Sequence, residues 1–340
     1  MSRLFVALTV VLLVACGGGS SESAPEVRLE SVGSSLESST TATASSSTGT
    51  STPIVDTIAT SSADVNEHVS PVIEVDDSVC VPEVVAGVTN VEVQRSDGIR
   101  SYVVHRPNVT DGRLPLLVDL HGTTGTSDLQ EATSGLGSAG IESGAWITVT
   151  PQAIGPVSAW SVPGAVPGDD LDFIEEIVVD LVNRACADPD RVFAAGFSSG
   201  AAMATWLGCE STLFAGVAPV AGVNLARICE DAPPVSLLAF HGTGDTIVPM
   251  EGLEGWESDR FDDLRLFYRG DAWVTVESWA RRNGCESEPT AVELSPSSTR
   301  YEWSACAAGS MVVFVVTEGA GHVWPVEASA EIRARFLDSP

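Results

Sequence analysis

The sequence predicts an α/β fold, a mostly parallel β-sheet covered by helices on both faces. Three observations predict it. Short, nearly unbroken apolar runs, the pattern of strands buried on both faces, alternate with stretches of helical periodicity. One such run, beginning at Val192, turns through Gly196-Phe197-Ser198-Ser199-Gly200 straight into an alanine-rich helix start. The polar residues with chemistry to offer fall at the ends of these runs, where the loops of a parallel sheet form sites.

The chain has 340 residues. Residues 1–16 read as an export signal. Arg3 supplies the positive charge, and Leu4 to Ala15 is an apolar run broken only by Thr9, too short to span a bilayer. It ends in Leu13-Val14-Ala15-Cys16, which resembles the lipobox of bacterial lipoproteins, where the cysteine is lipidated and becomes the new N-terminus. An ordinary signal peptidase cutting after Ala15 would find Leu13, not a small residue, two positions before the cut residue. Residues 17–79 are rich in Ser, Thr, Gly, Ala and acidic residues and hold no aromatic. Such a segment cannot bury enough apolar surface to offset its ordering entropy, so a tether is expected there, with His68 solvated within it.

The folded domain is expected over 80–340. Val91 to Arg95 and Ile99 to His105 alternate as a hairpin around Ser96-Asp97-Gly98. Leu114 to Leu120 is a buried strand running into His121-Gly122-Thr123-Thr124-Gly125, and Trp146 to Thr150 is another. Asp170 to Ala185 has helical periodicity and an acidic start. After the serine strand and its helix come strands at Phe214 to Val220 and Val235 to Phe240, the latter ending in His241-Gly242-Thr243-Gly244-Asp245. Ala272 to Arg282 reads as a helix, Tyr301 to Ser304 and Met311 to Val316 as strands, Gly319 to His322 as a loop and Ala328 to Leu337 as a closing helix. Val223 to Pro234 is an ordinary loop length, which leaves no large cap domain there and an open cleft.

The net charge is −29 and every basic residue is arginine. Phosphate binding needs a basic face, so nucleic acid is excluded as a partner, while an acidic surface suits an extracellular setting. Besides Cys16 there are six cysteines, an even number in an exported chain, which suggests disulfides. Sequence neighbours suggest Cys209–Cys229 and Cys285–Cys306, leaving Cys80–Cys186. No Cys-x-x-Cys or histidine-rich spacing supports a metal site, and no cofactor is expected.

The turn at Ser198 carries the chemistry. Glycines on either side let strand and helix approach closely, so that the serine is held in a strained turn at the top of the sheet, next to a helix N-terminus. A serine needs a base. His68 lies in the tether, His105 on an early strand, and His121 and His241 each in a His-Gly at a strand end, where a brace is the commoner role. His322, in a glycine-rich loop after the last strand, is the expected base. Its second nitrogen needs a carboxylate, and Asp245, just past a buried strand, is chosen over Asp263 and Asp271 in charged surface stretches. The order Ser198, Asp245, His322 is that of the α/β-hydrolase fold. The oxyanion donors are expected to be the backbone of Ser199 and of Thr123, with Thr124 as substitute. Trp160, in a Gly/Pro-rich loop, and Trp324, beside the histidine, are candidate walls of the cleft.

Four motifs together resemble the polyhydroxybutyrate depolymerase/feruloyl esterase family: Leu117-Val118-Asp119-Leu120-His121-Gly122, Gly196 to Gly200, His241 to Pro249 and Gly321-His322-Val323-Trp324-Pro325. Asp188-Pro189-Asp190-Arg191-Val192 and Trp279 to Cys285 look like that family too, while Ala201 stands where a further glycine is common. The resemblance covers Cys80 to the C-terminus. It implies a secreted serine esterase without implying one substrate, with polyhydroxyalkanoate-type or hydroxycinnamoyl esters as the expected classes. The lipobox-like end of the export signal adds an expected lipid anchor on the outer face of a membrane or cell surface, with release as an extracellular protein as the alternative. A peptidase or acyltransferase with the same residues, or a non-catalytic surface-binding lipoprotein, are the rival readings.

Overall fold

In a computed structural model of the protein, the described residues are 68–73, 75, 80–109, 112–155, 157–162, 169–226, 229, 231–252 and 270–338. The export signal, Cys16, the tether up to residue 67 and Asp263 lie outside them. The chain enters the sheet as an antiparallel hairpin, β1 (Gly87–Arg95) and β2 (Gly98–Arg106). Then come β3 (Leu114–Leu120), α1 (Ser127–Ser134), α2 (Leu136–Ser143), β4 (Ile147–Pro151) and α3 (Asp170–Arg184). β5 (Ala187–Phe197), α4 (Ser199–Glu210), β6 (Gly216–Val220) and β7 (Ser236–Gly242) follow. The chain closes with α5 (Ala272–Arg282), β8 (Thr290–Ser295), β9 (Ser298–Trp303), β10 (Val312–Thr317) and α6 (Val326–Ile332).

The strands form one sheet in the order β1-β2-β4-β3-β5-β6-β7-β10-β9-β8. β4, β3, β5, β6, β7 and β10 run parallel, and antiparallel strands finish both edges. The sheet has a core on each face, as its continuous apolar strands require. One contains Trp160, Phe173, Met203 and Trp279, the other Leu117, Trp146, Phe193, Phe240 and Phe336. This is the α/β-hydrolase fold.

Local chemistry sets the helix ends. Thr126 caps α1 by accepting from Leu129 N at 3.2 Å, and Gly135, at φ 63°, ends it in the left-handed region. Asp271 caps α5 in the same way, accepting from Val274 N at 3.0 Å. α3 opens with Asp170 and Asp172 and closes with Arg184, matching its dipole. α1, α2 and β8 were not expected. The closing helix starts earlier than expected, at Val326, and widens into a π turn over Arg333–Leu337.

Three disulfides join Cys80 to Cys186, Cys209 to Cys229 and Cys285 to Cys306. In the chain-entropy picture the first closes the longest loop and contributes most, about 4–5 kcal/mol against ~3 for each of the others. They fit an extracellular protein.

His68 departs from the expectation of a solvated residue. Its side chain is only 21% exposed, and its Nε2 meets Glu175 Oε2 at 2.9 Å while Nδ1 lies 3.5 Å from Asp172. The reason is Glu175, a buried carboxylate on α3 whose other oxygen is met by the Ser211 hydroxyl at 2.6 Å.

Candidate active site

The carboxyl ends of β3, β5, β7 and β10 lead to His121, Ser198, Asp245 and His322, so four loops at one end of the sheet, with only β6 between β5 and β7, carry the residues singled out in the sequence. Ser198 joins β5 to α4 with φ 55° and ψ −114°, a strained conformation costing on the order of 1–3 kcal/mol. The flanking glycines make it possible. A Cβ on Gly196 would lie 2.2 Å from Gly200 O, and one on Gly200 would lie 2.2 Å from Leu120 O.

Asp245 and His322, far apart in sequence, are in contact. His322 Nδ1 donates to Asp245 Oδ2 at 2.7 Å. The other carboxylate oxygen accepts from the N–H of Ile247 and Val248 at 2.9 and 2.8 Å, which fixes the plane of the group. The Asp245 side chain is fully buried. The His322 ring rests on Phe197, the neighbour of Ser198, with centroids 4.8 Å apart. Asp271 is a helix cap instead, with its carboxylate on Val274 N.

His241 braces the Asp245 loop. Its Nε2–H donates to Val248 O at 2.8 Å, and the same nitrogen lies 3.7 Å from Asp245 Oδ2. Burial lowers its pKa, which favours the neutral ring.

The β3 loop lies against the serine turn, where a Cβ on Gly122 would sit 3.3 Å from Ser198 Cβ. His121 shapes this loop. Its Nδ1–H donates to Gly122 O at 2.7 Å, while Nε2 accepts from Ala153 N and Gln152 Nε2, both at 3.1 Å. Gly125 N also donates to Gly122 O, at 2.9 Å. With that carbonyl turned inward, the N–H of Thr123, trans across the same planar peptide, points the other way. Thr124 N donates to Val157 O at 2.8 Å, so it is engaged elsewhere. Among the described residues no hydrogen bond takes the N–H of Thr123 or of Ser199. Burial lowers the His121 pKa as well.

Trp160 is corrected. It is fully buried, its indole donates to His121 O at 2.8 Å, and its ring lies 5.0 Å from that of His121. It braces the β3 loop and does not wall an open cleft, because its N–H needed an internal acceptor and the main-chain carbonyl of His121 supplied one. Trp324 is half-buried against the core containing Phe240, and its indole donates to Ser329 Oγ at 3.0 Å. The rim near the site holds exposed apolar side chains: Ile247 and Val323 beside Asp245 and His322, Val157 and Ile154 beside the β3 loop. The bracing by Gln152 and Phe197, and the burial of Asp119, were missed. Asp119 left a signal, an acid inside the apolar run Leu114 to Leu120.

No family model matches the chain. It is 31% identical over 255 residues to NocK of Nocardia uniformis subsp. tsuyamanensis, an esterase by name, covering 69% of this chain and 73% of that one. The chain belongs to this esterase family. Within it, feruloyl esterase B of Piromyces equi is 31% identical over 221 residues, 62% of this chain and 40% of that one. Poly(3-hydroxyalkanoate) depolymerase C of Paucimonas lemoignei is 33% identical over 126 residues, 35% and 30% of the two chains. The chain thus spans less than half the length of these two relatives. Among solved structures, an acetyl xylan esterase from Aspergillus awamori superposes with a TM-score of 0.53 at 16% identity, covering 72% of this chain and 98% of that one. At that identity the likeness concerns the fold, and it agrees with the sheet described above.

Proposed function

We propose that the protein is an exported serine esterase that hydrolyses carboxylic esters through an acyl-enzyme on Ser198. The observation that carries the reading is the 2.7 Å contact of His322 with buried Asp245, with the His322 ring packed on Phe197, the neighbour of the strained Ser198. Asp245 accepts from Nδ1–H, so the lone pair of His322 is on Nε2, the nitrogen that takes the Ser198 proton as the hydroxyl attacks the ester carbonyl. The oxyanion is received by the N–H groups of Thr123 and Ser199, and the imidazolium, stabilised by Asp245, then protonates the leaving alkoxide. Water repeats the sequence to release the acid. No step calls for a cofactor or metal.

Substrates of this reading are hydroxyalkanoate oligomers or hydroxycinnamoyl esters. The names feruloyl esterase B and poly(3-hydroxyalkanoate) depolymerase C among the relatives, with the exposed apolar rim, support an acyl group larger than acetate. Contacts made far from the reacting carbonyl raise kcat when they position it. A fluorophosphonate should label wild type once and leave Ser198→Ala unlabelled, with kcat lower in the variant by on the order of 10⁴ or more. Labelling that survives the substitution removes Ser198 from the mechanism. A hydroxybutyrate trimer or methyl ferulate should exceed p-nitrophenyl acetate in kcat/KM; acetate as the best of the three overturns the substrate assignment alone.

The proposal includes a lipid anchor at Cys16, supported by Leu13-Val14-Ala15-Cys16 at the end of the apolar run. Intact mass of membrane-bound protein should show an acylated Cys16, and Cys16→Ser should block processing. Stable anchoring takes more than one acyl chain. An unmodified N-terminus elsewhere overturns the anchor.

A further inference from the structure

Asp119 stands on β3 two residues before His121, with a fully buried side chain. Its hydrogen-bond partners are neutral: Gln130 Nε2 donates to Oδ1 at 2.7 Å and the Ser134 hydroxyl to Oδ2 at 2.6 Å. Both partners are on α1, the helix that begins where the Thr123 loop ends. The carboxyl therefore closes a ring, from the strand through the loop into the helix and back to the strand. A second branch leaves the same ring. Ser134 O accepts from Ser329 Oγ at 2.7 Å, and Ser329 Oγ accepts from Trp324 Nε1 at 3.0 Å, two residues beyond His322.

We propose that Asp119 is a positioning residue for this site: through Gln130 and Ser134 it holds the Thr123 loop, and through Ser134, Ser329 and Trp324 it couples that loop to the one carrying His322. The proposal rests on the serine-esterase reading. As a carboxylate, Asp119 accepts from both donors at once, and such bonds are the stronger kind. As an acid it must donate through one oxygen. The Gln130 amide N–H has no lone pair to receive that proton, so protonation either breaks the Gln130 bond or reverses the Ser134 bond.

The acid form is within reach of ordinary conditions. Burial is the main cause that pushes the Asp119 carboxyl up to about 7; the two hydrogen bonds oppose it and Glu131 on α1 adds to it. Other charged groups on the surrounding elements stand apart or are engaged. β4 has no titratable side chain, and α4 has Glu210 in its last turn. The charges of β5 are near its other end, where Asp188 pairs with Arg191 and Asp190 stands between them. α2 has Glu142, and in the C-terminal π turn Arg333 faces Asp338 while Arg335 meets Glu331 and Glu302.

The test measures kcat and KM for p-nitrophenyl acetate against pH in wild type and Asp119→Asn. Asparagine is nearly isosteric, uncharged at every pH and able to accept through one atom only, so it copies the acid form. The variant-to-wild-type ratio of kcat should be near one at roughly pH 6 and fall to about one tenth at roughly pH 8.5, with KM little changed. Taking the ratio removes any pH dependence that the two enzymes share. Ser329→Ala cuts only the outer branch, and its effect should shrink in the Asp119→Asn background because the two share one chain. A ratio that is constant with pH, whatever its size, or strictly additive effects of the two substitutions, overturns the proposal. If Asp119→Asn melts at working temperature, Ser329→Ala alone takes its place, and its effect on kcat should be smaller at roughly pH 6, where the Asp119 chain is already loosened, than at roughly pH 8.5. Wild type that neither turns over esters nor takes a fluorophosphonate brings down the esterase reading and this proposal with it. Active wild type with a flat ratio brings down this proposal alone.

Discussion

Replacing Asp245 with asparagine isolates what the carboxylate does for His322, because the rest of its surroundings fixes how the amide must sit. In the native protein Oδ1 accepts from the backbone N–H of Ile247 and Val248 at 2.9 and 2.8 Å, and Oδ2 accepts from His322 Nδ1 at 2.7 Å. In Asp245→Asn the amide oxygen has to stay on the two backbone donors, since the NH₂ group would otherwise point donor to donor at both. The NH₂ then faces His322 Nδ1, which must offer a lone pair and carry its proton on Nε2. A protonated Nε2 cannot accept from Ser198. The same exchange in a serine protease of unrelated fold lowers kcat about 10⁴-fold, and the same tautomer argument gives ~5 kcal/mol of lost transition-state stabilisation here. The backbone bonds persist, so the melting temperature should barely move and KM should change little. The assay is kcat and KM for p-nitrophenyl acetate with the rate of fluorophosphonate labelling, alongside a thermal melt. Asp271→Asn is the control: asparagine caps a helix as well as aspartate, so both stability and kcat should hold. An Asp245→Asn enzyme that melts normally and keeps kcat within about tenfold refutes the tautomer argument.

Trp160→Ala should destabilise by about 3–5 kcal/mol, as expected for a fully buried tryptophan, and should lower kcat for acetate and feruloyl esters alike by loosening the His121 loop. A loss confined to the bulky esters, seen by comparing kcat/KM across the two, would instead return Trp160 to a substrate wall. Replacing Cys285 and Cys306 together with serine should cost about 3 kcal/mol in a denaturant melt, and peptide mapping of exported wild type should find the two residues linked.

Some of this protein is decided within short stretches of chain. The serine turn is one: its strand, its two glycines and its helix start lie within a dozen or so residues, and the steric demand that shapes it is local. The buried strands are another, because a strand covered on both faces must be apolar throughout, as Leu114 to Leu120 and Val312 to Thr317 nearly are. Asp245 and His322 were legible from their positions just past such strands. β8 was not, since Thr290–Ser295 is an edge strand whose residues are mostly exposed and carry no apolar pattern. α1 and α2 were missed for a related reason: small and polar residues dominate them, and part of what holds them is a side chain on another element, Asp119 on β3, which bonds Gln130 and Ser134 of α1.

Tertiary structure alone decided the jobs of the side chains at the site. Trp160 and His68 each sit in loop-like sequence, yet one is locked on His121 O and the other on Glu175, because buried polar groups take partners wherever the fold brings them. Thr124 is another case: its N–H is taken by Val157 O, a partner that nothing in the local sequence announces. Residue type and spacing say which groups can do chemistry; only the packed chain determines which of their hydrogen bonds are already taken.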